Sequence, residues 1–139
     1  MRLLYVVQRY GEDIVGGSEA ACRQFAEALT HEGHEVEVLT SCARSYVTWE
    51  NSYESGQSEI NGVRVHRLPV TAPRRPERFG PTDIWLMSEQ ASPLLFEQQR
   101  WARQMGPDMA GMRSWLIANA QRFDAIIFMT YLYTNAVMG

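Results

Sequence analysis

Lysine is absent from this sequence: all 13 of its basic residues are arginine. Arginine is the better bidentate partner for carboxylates and phosphates, but a bias spread over the whole chain is most simply a compositional habit of the source genome. Positive charge is not in excess either. The formal net charge is −3, which argues against a nucleic-acid partner, because such domains carry a basic face. Cysteine is scarce, and Cys22 and Cys42 stand too far apart for a zinc knuckle or a disulfide framework. Both are expected to be reduced, small apolar residues of a cytoplasmic protein. Long hydrophobic runs are missing as well. The apolar start Leu3-Leu4-Tyr5-Val6-Val7 turns polar at Gln8 and Arg9, too soon for a secretion signal and far too soon to span a bilayer. No grouping of metal-ligating residues stands out, so no metal is expected.

What is present suits one domain. The 139 residues, 45% of them hydrophobic and 11% aromatic, can bury a core. Leu3 to Val7 reads as a parallel strand covered on both faces. A polar loop follows and ends in Gly16-Gly17-Ser18. Cys22, Phe25, Ala26 and Leu29 then recur at helical spacing, with Ser18 as N-cap and Gly33 as the C′ residue, predicting a helix over 19–32. Residues 34–40 read as a second strand, completing a βαβ unit. Asn61-Gly62 between apolar residues is a hairpin turn signal, and 63–70 alternates as a third strand. Three prolines and three arginines mark 71–82 as a loop. Helices are expected over 83–104, with a break at Pro93, and over 109–122, where Met112, Trp115, Leu116 and Asn119 share a face. The run 123–129 reads as another buried strand. The predicted fold is α/β, Rossmann-like and three-layered, with a mainly parallel sheet of about four strands.

Gly16-Gly17 is the most informative local feature. It joins the first strand to the first helix, at the carboxyl edge where open α/β sheets bind ligands. Glycine admits close backbone approach, and a helix start offers free N–H groups and partial positive charge, together an anion site. The plainer reading is a tight turn. A dinucleotide site is excluded by the missing G-x-G-x-x-G spacing and by Leu39-Thr40-Ser41 where an acid should end the second strand. A P-loop is excluded by the absence of lysine.

Taken in order, Gln8-Arg9-Tyr10, Gly16-Gly17-Ser18-Glu19, Gly33-His34-Glu35-Val36 and Asn61-Gly62-Val63-Arg64-Val65 resemble the N-terminal domain of group 1 (family 4-type) glycosyltransferases, retaining enzymes of the GT-B fold. The resemblance spans essentially the whole chain and is strongest over 1–70. It implies that 1–139 is the acceptor-side half of an enzyme transferring a sugar from a nucleotide-sugar donor, with a C-terminal donor domain absent and the isolated chain inactive. It sets Gly16 and Gly17 beside the donor phosphates and makes Tyr10 and Glu19, then Tyr46 and Trp49, candidates for the acceptor side. Packing onto the core is the plainer reading of Tyr46, Trp49 and Tyr53. Thr130 or Tyr131 stands where many members of the family carry a His. His31, His34 and His66 read as structural. The nucleotide sugar is a substrate, so no cofactor is implied, and the acceptor is a sugar, a lipid or a small molecule. Arg74, Arg75 and Arg78 suit a phosphorylated acceptor or peripheral contact with an anionic membrane, against the plainer reading of a solvated loop. A non-catalytic α/β ligand-binding or regulatory domain is the alternative.

Overall fold

The computed structural model describes residues 1–88, 92–130 and 136, without the side chain of Arg78. Among the described residues there are five strands, β1 (Arg2–Val6), β2 (Glu35–Ser41), β3 (Gly56–Ile60), β4 (Val63–Leu68) and β5 (Ala125–Phe128). They form one sheet in the order β3-β4-β2-β1-β5, in which only the β3–β4 pair is antiparallel. The strand beyond the four expected is β3, which forms the hairpin that Asn61-Gly62 announced: both residues have positive φ (50° and 80°), as a two-residue turn of this twist requires.

Helix α1 (Gly17–His31) lies on one face and α4 (Met112–Asn119) on the other. Alternation along the strands feeds both layers. Tyr5, Val38 and Val65 pack with Cys22 and Ala26 of α1, while Leu4, Val6 and Leu39 pack with Met112 and Leu116 of α4. On the α4 face the row also carries Glu37, which accepts hydrogen bonds from Arg64 (2.7 Å), His66 (2.6 Å) and Arg122 (3.0 Å). That network, with the His66 ring against Trp115, gives His66 its structural place.

Several sequence expectations need correction. Helix α1 starts at Gly17 with Gly16 as its N-cap, so Ser18 lies inside the first turn. Phe25 is exposed rather than part of the buried stripe. Strand β4 stops at Leu68, and Val70 makes only an isolated bridge to Met109. The proline-rich segment is not all loop: α2 (Pro76–Leu86) begins at Pro76, a residue pre-set for a first helical turn, and contains Pro81. The helical stretch expected over 83–104 is interrupted around Pro93, the expected break: its residues divide between α2 and α3 (Leu95–Met105), which are tied by the Trp101 indole donating to Asp83 at 3.0 Å. The helix expected over 109–122 is the shorter α4 followed by a 3₁₀ turn, Ala120–Arg122. Strand β5 is half-buried, since among the described residues it forms the sheet edge. Beyond it, Tyr131 lies outside the described residues.

Candidate functional site

The parallel strands β1, β2, β4 and β5 end at one edge of the sheet, so the segments leaving β1, β2 and β4 and the start of α1 share that edge. Two buried arginines organise it. Arg9, just past β1, donates to one Glu19 carboxylate oxygen through two nitrogens (2.9 and 2.7 Å) and to the carbonyls of Arg44 and Val15 (2.9 and 3.2 Å). Both side chains of this ion pair are only 8% exposed. Arg67, at the end of β4, donates to the Tyr10 carbonyl at 2.7 Å and lies over the Tyr53 ring at 4.2 Å. The Tyr53 hydroxyl donates to Asp13 at 2.6 Å, and Asp13 pairs with Arg44. The loop before α1 is therefore gripped from both ends by charge-assisted bonds, the stronger kind of hydrogen bond.

The two glycines do different work. A Cβ on Gly16 would fall 2.3 Å from the Glu19 carboxylate and 3.1 Å from the Arg9 guanidinium. Gly16 is thus required by the ion pair, since its own backbone is extended and open to any residue. A Cβ on Gly17 would meet nothing within 4 Å. Gly17 opens the first turn of a helix that no side chain caps, and the first backbone bond of that turn runs from Ala20 N–H to the Gly16 carbonyl. The N–H groups of the opening turn have no partner within the helix, and the macrodipole gives them partial positive charge.

The other sequence candidates separate. Tyr10 is fully buried among the α1-side core residues, and burial pushes its phenol above the ordinary range. It is a packing residue with no face toward the edge. Glu19 has the same fate for a different reason, as its carboxylate is committed to Arg9 and to the Ser18 hydroxyl. Trp49 is buried too and packs the loop after β2 onto the end of α3, donating its indole N–H to the Met105 carbonyl at 2.9 Å. Gly106 makes room for that ring, which a Cβ there would strike at 2.8 Å. Tyr46 is exposed, 5.4 Å from the Arg9 guanidinium, and so borders the same loop. Thr130 is half-buried and accepts a hydrogen bond from the Gln8 amide at 3.0 Å. Tyr131 lies outside the described residues.

Sequence reasoning missed Arg9, Arg67 and Gln8. The Gln8 amide oxygen is buried at the end of β1 without a hydrogen-bond partner among the described residues. Their roles depend on partners ten to 122 residues away, so no local spacing marks them. In the structure, Gly16, Gly17, Arg9, Glu19 and Tyr46 come together, and Thr130 joins the same edge through Gln8.

A three-layer α/β domain with an open, uncapped helix start at the carboxyl edge of its sheet has the architecture of the doubly wound class, whose members bind ligands at that edge. This chain belongs to the glycosyl transferase 4-like domain family, whose pattern matches residues 16–138. It is also 36% identical over 74 residues to an uncharacterized glycosyltransferase of Methanocaldococcus jannaschii, a match that covers 52% of this chain and 17% of that relative. No solved structure gives a significant match. Among the described residues no helix is long and apolar enough to cross a membrane.

Proposed function

We propose that this domain is the acceptor-side half of a GT-B glycosyltransferase that moves a sugar from a nucleotide-sugar donor to an acceptor with retention at the anomeric carbon. A second, C-terminal domain would hold most of the donor, and the 139-residue chain by itself would not turn over. The observation that carries the reading is the start of α1: Gly17 faces open space on an uncapped helix N-terminus. As the glycosyl–phosphate bond breaks, charge grows on the departing diphosphate. Backbone N–H groups already aimed at that oxygen stabilise it without reorganising. Arg9 and Glu19 hold the turn in place, and the acceptor approaches along the edge bordered by Tyr46 and Thr130. Catalysis on this plan is mainly positioning and electrostatics. The nucleotide sugar is consumed as a substrate and no further cofactor enters. The thiols of Cys22 and Cys42 are free and buried, which fits the cytoplasmic setting proposed for the enzyme, and burial pushes Cys22 up to about 12 and so keeps it protonated and unreactive.

Heteronuclear NMR titration of the chain with UDP-, GDP- and ADP-sugars tests the reading. Amide shifts centred on Gly16, Gly17 and Ser18 are expected even at weak affinity. No response to donors or to candidate acceptors, or a response centred away from this edge, would overturn it.

A further inference from the structure

The same sheet edge carries a second feature, on the far side of the loop after β4. A cavity of about 250 Å³ lies between the segment 71–75 and helix α3, and four arginines line it: Arg74, Arg75, Arg100 and Arg103. Among the described residues the only acidic side chain in its lining is Asp108. The four guanidiniums are held differently. Arg74 is built into the wall, donating to the carbonyls of Gln104 and Met105 at the end of α3 and lying 4.5 Å over the Phe79 ring. Arg100 and Arg103 are three residues apart on α3, hence on one helix face. Arg75 is the residue before α2. These last three are exposed, and among the described residues none of them pairs with a carboxylate.

Three arginines without a carboxylate partner among the described residues, lining one concave and partly apolar space beside Arg74, are unlike a solvated charged surface. Guanidiniums lining one cavity repel one another, and a bound dianion relieves that repulsion while accepting several forked hydrogen bonds. We propose that this pocket binds a phosphate group, held by Arg75, Arg100 and Arg103 with Arg74 as its fixed wall, and that the group belongs to the acceptor. The assignment to the acceptor rests on the glycosyl-transfer reading above, whereas the anion site itself does not. The geometry favours the acceptor because residues 71–75 of the pocket follow β4, which ends at the sheet edge that also carries the Gly17 turn, and the lining does not include that turn.

The test follows arginine Nε–Hε resonances of the 139-residue chain. It is titrated with glucose 6-phosphate, with glucose, and with phosphatidylcholine vesicles made with and without phosphatidic acid. Saturable shifts of Arg75, Arg100 and Arg103 are expected with a phosphate-bearing ligand and not with glucose. The double variant Arg100→Gln/Arg103→Gln should bind at least about tenfold more weakly, the scale of one charge-assisted bond, while Arg113→Gln on the exposed face of α4 should bind as the parent does. Response to glucose 6-phosphate assigns the pocket to a soluble phosphorylated acceptor, and response to phosphatidic acid vesicles alone assigns it to a lipid headgroup. Silence toward both, or equal losses in the double variant and Arg113→Gln, overturns the proposal. If the Gly17 amides still respond to nucleotide sugars, that failure is separate from any failure of the glycosyl-transfer reading.

Discussion

Two arginine-rich regions share one edge of this sheet and use the same side chain in opposite ways. Around the start of α1, Arg9 and Arg67 are buried and their donors are consumed by Glu19 and by backbone carbonyls. Around the α2–α3 cavity, Arg75, Arg100 and Arg103 are exposed and unpaired among the described residues. A committed guanidinium fixes backbone and leaves recognition to the N–H groups it positions. An uncommitted one is available to a ligand but contributes little to the fold. The comparison predicts that stability and binding separate between the regions.

Breaking the buried pair should have the largest effect. Arg9→Ala or Glu19→Ala strands a lone buried charge, and urea unfolding should show a loss of about 3–5 kcal/mol. Removing both together, as Arg9→Met/Glu19→Leu, should cost less than either single change; a double variant as damaged as the sum of the singles would mean that the pair is not coupled. Next comes Gly16→Ala, which drives a methyl into the Glu19 carboxylate and should cost about 1–3 kcal/mol. A third test uses Glu37 as a buried acid away from this edge. Burial raises its pKa, but the hydrogen bond from His66, the charges of Arg122 and His66 and the bond from Arg64 outweigh burial and hold it below the ordinary 4.5. A depressed carboxyl stabilises the fold above its unfolded value, and that contribution is lost as pH falls through the folded one. Two of its partners are half-exposed, so Glu37→Gln should cost only about 1 kcal/mol near neutral pH and should flatten the acid side of the stability profile. The smallest effect belongs to the cavity: Arg100→Gln/Arg103→Gln should leave the unfolding free energy in urea within about 0.5 kcal/mol of the parent.

The parts of the fold that were legible in the sequence are those written locally. The first βαβ unit shows in the spacing of Cys22, Ala26 and Leu29 and in Gly33, and the hairpin shows in Asn61-Gly62. Helix α2 was not legible, because prolines usually end helices. Pro76 instead starts one, and Pro81 is carried inside it, removing one backbone bond while α3 packs alongside. At the candidate site, the sequence marked Gly16-Gly17 as a unit but could not divide the work between the two glycines. That division depends on an ion pair between a loop and a helix ten residues apart. The same limit explains Tyr10 and Trp49, whose aromatic character fits either a binding surface or a core and whose burial is decided by neighbours remote in sequence.

The most direct test of the account compares Gly16→Ala and Gly17→Ala for stability and for nucleotide-sugar binding in the same NMR titration. Gly17→Ala is expected to fold as stably as the parent, since its methyl enters empty space, yet to lose the donor-induced shifts of the first turn of α1. Unchanged donor binding by Gly17→Ala would contradict the assignment of this turn to the donor phosphates.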